Sequence, residues 1–246
     1  MTKAYPLNKA PIKEALIDIQ VNGDNVDIQS LNMSLDGFPS PSEIRIAMLQ
    51  FQAGPDGAKS TGGEPTCIGY RYESEDGEFI VQLRQDGMTV SRLAPYTTWE
   101  DLFLLAQKIW PQYQEATKQA GVNRLAVRYI NSLNIPFPEN DTVDFNLYLS
   151  NAPRLTFQAG EELDHFLTRL VLSLTSPAGA TAIINQTIEP QSEDFLPLIL
   201  DIDIFLKFEQ DPPIDDKIWR ILELMRDAKN TIFFNTMTKS ALELCT

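Results

Sequence analysis

The chain has 246 residues, 43% of them hydrophobic, enough for one large core or two small ones. Its formal net charge is -14, with the acids spread along the chain. That balance disfavours duplex nucleic acid, which needs Lys and Arg against its phosphates, and is compatible with a basic protein partner.

Residues 11–21 alternate, with Ala15, Ile17, Ile19 and Val21 opposite Leu16, Asp18 and Gln20, which predicts a half-buried strand. Ser40-Pro41-Ser42-Glu43 ahead of Ile44, Ala47, Met48 and Phe51 predicts a short helix over 40–51. The glycines and prolines of 54–65 then predict a loop. Strand-like runs at 67–72, 78–84 and 88–93 are separated by Asp76-Gly77 and Asp86-Gly87, a strong hairpin signal, so a three-stranded meander is expected. Thr97 to Glu100 has the pattern of a capping box, and Leu102, Leu105, Ile109, Tyr113, Ala116 and Ala120 follow at helical spacing up to a C-cap at Gly121.

The second half has a similar order of parts. A long alternating strand is predicted over 124–135, a short helix or strand over 143–150, and further strands near 166–174, 180–188 and 196–208. A long amphipathic helix over 215–235 carries Ile218, Ile221, Leu222, Met225, Ala228 and Ile232 on one stripe. The expected class is α+β, with two pseudo-repeated units of strand, connector, three-stranded antiparallel meander and long helix. The halves are 1–121 and 122–246, and Gly121-Val122-Asn123 is too short a joint to keep them from sharing an interface.

Chemistry-bearing residues are sparse. Cys67 and Cys245 make no disulfide framework, and His165 is the sole histidine, so no zinc set forms and the commonest general base is nearly absent. Phosphate loops, dinucleotide fingerprints, nucleophile elbows, kinase motifs and calcium loops are missing too. No cofactor and no metal is called for. No run reaches the roughly 18 apolar residues of a membrane span, and the first residues lack a secretory apolar core, so the expectation is cytoplasmic and membrane-free.

Three polar groupings remain as candidates. On the strand 124–135, Arg124 and Arg128 share a side about 13 Å apart, with Asn131 beyond them; they can flank an anionic ligand or, in so acidic a chain, pair with carboxylates. On the last helix, Arg226, Lys229, Asn230 and Phe233 stand three or four apart, although cations near a helix C-terminus also suit its dipole. Asp201 and Asp203 share one strand side, as a metal or acid–base pair requires and as two solvated aspartates also would. Tyr96, Trp99, Trp110 and Tyr113 read as core and cap packing, since acids interleave them.

Four stretches taken together, 10–15, 96–100, 124–131 ending in Arg128-Tyr129-Ile130-Asn131, and 226–230 with Phe233, resemble a sporadically distributed bacterial protein family with no assigned activity. The resemblance implies a full-length single unit and supplies no reaction. Its sporadic occurrence points by association to accessory genes of the defence or toxin-antitoxin type. The sequence therefore favours, first, a noncatalytic binding or interaction protein, an accessory component of such an operon. A domain sensing a small anionic ligand or nucleotide through Arg124, Arg128, Lys229 and Asn230 comes second, and an enzyme with an atypical carboxylate or metal site third.

Overall fold

Because side chains alternate across a strand, the run beginning at Ile12 can bury Ala15, Ile17 and Ile19 on one side and keep Asp18 and Gln20 on the other. In the computed structural model this strand, β1 (Ile12–Val21), lies at the centre of a large sheet. The structure describes residues 5, 7–23, 26–47, 49–54, 57–118, 121–137, 143–153, 165–190, 194–209 and 212–246. After β1 come β2 (Ser42–Ile46), β3 (Leu49–Gly54), β4 (Gly57–Gly62), β5 (Thr66–Glu73), β6 (Phe79–Arg84), β7 (Gly87–Leu93) and α1 (Trp99–Thr117). The remainder is β8 (Val122–Pro136), β9 (Leu167–Ser173), β10 (Thr181–Ile188), β11 (Phe195–Lys207), α2 (Asp215–Thr236) and α3 (Lys239–Glu243).

Nine strands form one antiparallel sheet in the order β2-β5-β6-β7-β1-β8-β11-β10-β9, and β3 pairs with β4 as a separate hairpin. The class is α+β. The Asp-Gly signals mark the two turns of the β5-β6-β7 meander. At Gly87 a Cβ would sit 2.4 Å from the Ile19 carbonyl oxygen, so the missing side chain lets β7 lie close against β1. The joint near residue 121 carries no break in the sheet, because β1 and β8 pair directly, with Ala15 opposite Tyr129 and Ile17 opposite Val127.

Helices cover one face. α1 packs over β7 and β1 through Leu102, Ala106 and Ile109, and α2 packs over β8 and β11 through Ile218, Leu222 and Met225. Each of the leucine, isoleucine and methionine side chains among these contributes roughly 1.5–3 kcal/mol on leaving water. No helix among the described residues is long and apolar enough to cross a membrane.

Several local expectations are corrected. The described residues of 40–51 are not helical: Ser42 to Ile46 pair with β5, and Leu49 begins the β3-β4 hairpin, which also occupies much of the expected loop at 54–65. Ile44 and Ile46 are β-branched and two apart, so the local pattern served both periods, and the β5 ladder decides it. The helix start is shifted by one residue. Thr98 is the N-cap, accepting the Asp101 N–H at 3.2 Å, while Thr97 Oγ1 donates to the Asp101 carboxylate at 2.6 Å. Asp101 thus takes the place expected for Glu100 and leaves that carboxylate free to turn outward. α1 ends at Thr117 and is capped by Lys118, a left-handed residue with φ 56°, before Gly121. Within 143–150, Phe145–Leu147 is a short 3-10 turn, and Leu149 bridges to Met237.

Candidate functional site

Strand parity divides the candidate residues. Arg124 and Arg128 are even-numbered on β8 and project from the face opposite the helices, whereas Tyr129 and Asn131 are odd-numbered and lie beneath α2. On the far face Arg128 makes a bidentate pair with Asp201, Nε to Oδ1 at 2.8 Å and Nη2 to Oδ2 at 2.9 Å, and Asn185 adds a bond at 3.0 Å. Arg124 donates to Asp18 at 2.7 Å and lies 3.8 Å from Asp203. Asp18 also accepts from Thr89 at 2.8 Å and Arg84 at 3.2 Å. Asp201 and Asp203 are therefore members of an ion-pair lattice. Burial raises the Asp203 carboxyl above its ordinary range, against the opposing pull of Arg124 and Arg128. His165 is exposed, with Nε2 3.5 Å from the Thr187 hydroxyl. Among the described residues, no three His, Cys, Asp or Glu side chains group as metal ligands.

On the helix face, Asn131, Arg226, Lys229 and Asn230 come together around one pocket of about 400 Å³. Tyr129 and Asn131 supply β8's contribution, and α2 adds Arg226, Lys229, Asn230 and Phe233. The turn Tyr96 to Thr98 and the first turn of α1, with Trp99 and Glu100, form another wall; Tyr5, Leu7 and residues 10–12 close the remaining side. Each of the four stretches behind the family resemblance thus contributes residues to this pocket.

Lys229 is its distinguishing group. Only 7% exposed, it holds Nζ 3.8 Å from the centre of the Tyr129 ring, and no carboxylate or hydrogen-bond acceptor among the described residues partners it. Burial, and secondarily the positive charge of Arg226 one turn earlier, push its ammonium down to about 7. The Tyr129 ring face works the other way, since a π face favours the cation. The Asn230 amide, half-buried in the same wall, has no hydrogen-bond partner among the described residues.

Arg226 sits at the rim, 2.8 Å from the Asp227 carboxylate and 3.6 Å from that of Glu100, both largely exposed. Pairs in that setting are weak and leave guanidinium donors to spare. The Tyr96 and Tyr129 hydroxyls are 3.2 Å apart, and burial raises both phenols above their ordinary range, so they stay protonated. α1 starts at the same wall, where Thr98, Trp99 and Glu100 line the cavity.

No family model and no curated protein matches this chain. A second depression, of about 630 Å³, lies beside Arg92 and Lys108, but these cations are already paired with Glu78 and Asp36. The Lys229 pocket is the candidate site because it holds a buried amine that no carboxylate among the described residues pairs with. Tyr96 and Trp99, which the sequence assigned to packing, line it, and Tyr129 joins them. The parity of β8 counted from Asn131 is the signal that finds Tyr129.

Proposed function

We propose that this chain is a binding domain for a small anionic ligand, with Lys229 as its buried counter-charge and Arg226 and the start of α1 at the mouth. The observation that carries this reading is the Lys229 ammonium, buried in a cavity with no carboxylate among the described residues paired to it. An unpaired buried cation is expensive, and a ligand anion would remove that penalty. The volume of about 400 Å³ is within the range of small-molecule pockets, roughly 300–1,000 Å³. Trp99, Phe233 and the Tyr129 ring suit an apolar body attached to one acidic group. Only two cationic side chains line the pocket among the described residues, which favours a single carboxylate or phosphate over a nucleotide polyphosphate.

The two halves, 1–121 and 122–246, are read as a duplication. In support, β1 leads through β5-β6-β7 to α1, β8 leads through β9-β10-β11 to α2, and the two leading strands pair antiparallel at the centre. The pocket then lies where the halves meet.

Thermal melts of the full chain with benzoate, phenylacetate, hexanoate and inorganic phosphate test the binding reading, with benzamide as the uncharged control. Saturating anion, at about 100 times its dissociation constant, is expected to stabilise by about 2.7 kcal/mol, while benzamide does nothing. The shift should fade as pH rises above about 7, where the free Lys229 loses its proton. Failure of every anion, or an undiminished shift in Lys229→Met, would overturn it.

A further inference from the structure

We infer that Lys229 is a carbonyl-reactive amine and that the ligands of this pocket include small oxo acids, which it holds as an imine. The inference rests on the small-anion reading and names a class of ligand within it. An amine that adds to a carbonyl must be unprotonated, reachable and fixed in position. Lys229 opens onto the cavity while 93% of its surface is withdrawn from solvent, and the face of Tyr129 3.8 Å away positions its nitrogen. No acid among the described residues holds a proton on it, and Arg226 on the same helix face repels the ammonium form. With its ammonium pushed down to about 7, a large fraction of Lys229 is free amine at neutral pH.

The surrounding groups suit the remaining atoms of an oxo acid. The carboxylate fits toward Arg226, and its own charge distinguishes it from a plain aldehyde. Besides Arg226, the titratable groups lining the pocket around Lys229, among the described residues, are the exposed Tyr5 and Glu100 and the phenols of the half-buried Tyr96 and the buried Tyr129. Both phenols keep their protons, and their hydroxyls are 3.2 Å apart.

In the addition, the Nζ lone pair forms a C–N bond to the carbonyl carbon as the C=O π pair moves to oxygen. That oxygen takes a proton and nitrogen releases one, giving the carbinolamine. The hydroxyl then leaves with a second proton as water, nitrogen loses its remaining proton, and the C=N bond forms. One water is released, and no oxidant or reductant is needed. The Tyr96 hydroxyl, which stays protonated and lines the same cavity, is placed to hydrogen-bond the carbonyl oxygen as charge builds on it, and the protons exchange with water.

The test is trapping of the full chain with pyruvate and sodium borohydride, read by intact mass and peptide mapping. Hydride delivered to the imine carbon leaves a stable secondary amine. One adduct is expected, at Lys229, formed roughly tenfold or more faster than at any other lysine, as its lowered proton affinity implies. It should be absent from Lys229→Arg, slowed in Tyr96→Phe and suppressed by excess benzoate. Labelling spread evenly over surface lysines, or unchanged in Lys229→Arg, overturns the inference. If benzoate stabilises the protein but no adduct forms at Lys229, the imine falls and the anion site stands. If benzoate neither stabilises nor protects and no adduct forms, both fall. An adduct at Lys229 that benzoate does not suppress overturns the placement of the oxo acid in the anion site.

Discussion

Lys229→Met is expected to make the free protein more stable while removing its affinity for anions. In the unfolded chain Lys229 ionises near its ordinary 10.5, and in the folded chain burial lowers this to about 7, so below 7 folding must carry the charge into the pocket. Between these values the unfolded state binds more protons than the native state, so stability rises with pH across that window. The penalty that methionine removes is fully present below 7 and fades as pH climbs toward 10.5. After allowance for the lost attraction of the Tyr129 ring, the gain near neutral pH is about 2–3 kcal/mol. That corresponds to roughly 5–10 °C in Tm for a chain of this size. Most core substitutions act in the opposite direction. Melts of both proteins from acid to alkaline pH, with and without benzoate, check it: the curves should converge at high pH, and only the natural chain should respond to benzoate.

The second large effect is expected on the other face of the sheet. Asp18→Ala leaves Arg84 and Arg124 half-buried without the carboxylate that both share, at 3.2 and 2.7 Å. Breaking a buried ion pair from one side costs about 3–5 kcal/mol when the remaining charge is left uncompensated; here Arg84 keeps Asp86 at 3.2 Å and Arg124 keeps Asp203 at 3.8 Å, so the loss is expected at the low end, about 3 kcal/mol. Asp18→Asn should cost less, since a carbonyl oxygen can still accept from Thr89. Asp203→Asn should cost little, because Asp203 is 3.8 Å from Arg124 and burial already disfavours its charged form. Urea unfolding of the three variants measures this order. Benzoate binding should survive in all of them, since the lattice and the pocket are separated by the thickness of the sheet.

The periodic elements were legible in the sequence for local reasons. Alternation from Ala15 to Val21, the Asp-Gly turns and the apolar stripe from Ile218 to Ile232 each depend on neighbours within a few residues. The region 40–65 was not legible, because β2 is decided by pairing with β5, some twenty residues away. For the site, the residue types were visible but their grouping was not. Arg124 and Arg128 have the parity of Asp18's and Asp201's face, and Lys229 meets Tyr129 only because α2 lies across β8. The one-residue shift from Thr97 to Thr98 was likewise hidden, since adjacent threonines are equal candidates until Asp101 chooses between them.

Lys229, on the proposed reading, is a buried amine whose positive charge an anion compensates. A pH titration of the Lys229 side chain, followed by the NMR shift of its Cε carbon and assigned with Lys229→Arg, tests it most directly. The expected result is a midpoint near 7 in the free protein, rising by a unit or more with saturating benzoate, because an anion beside the nitrogen favours its charged form. A midpoint at the ordinary lysine value, unmoved by any anion of the panel, would contradict the account.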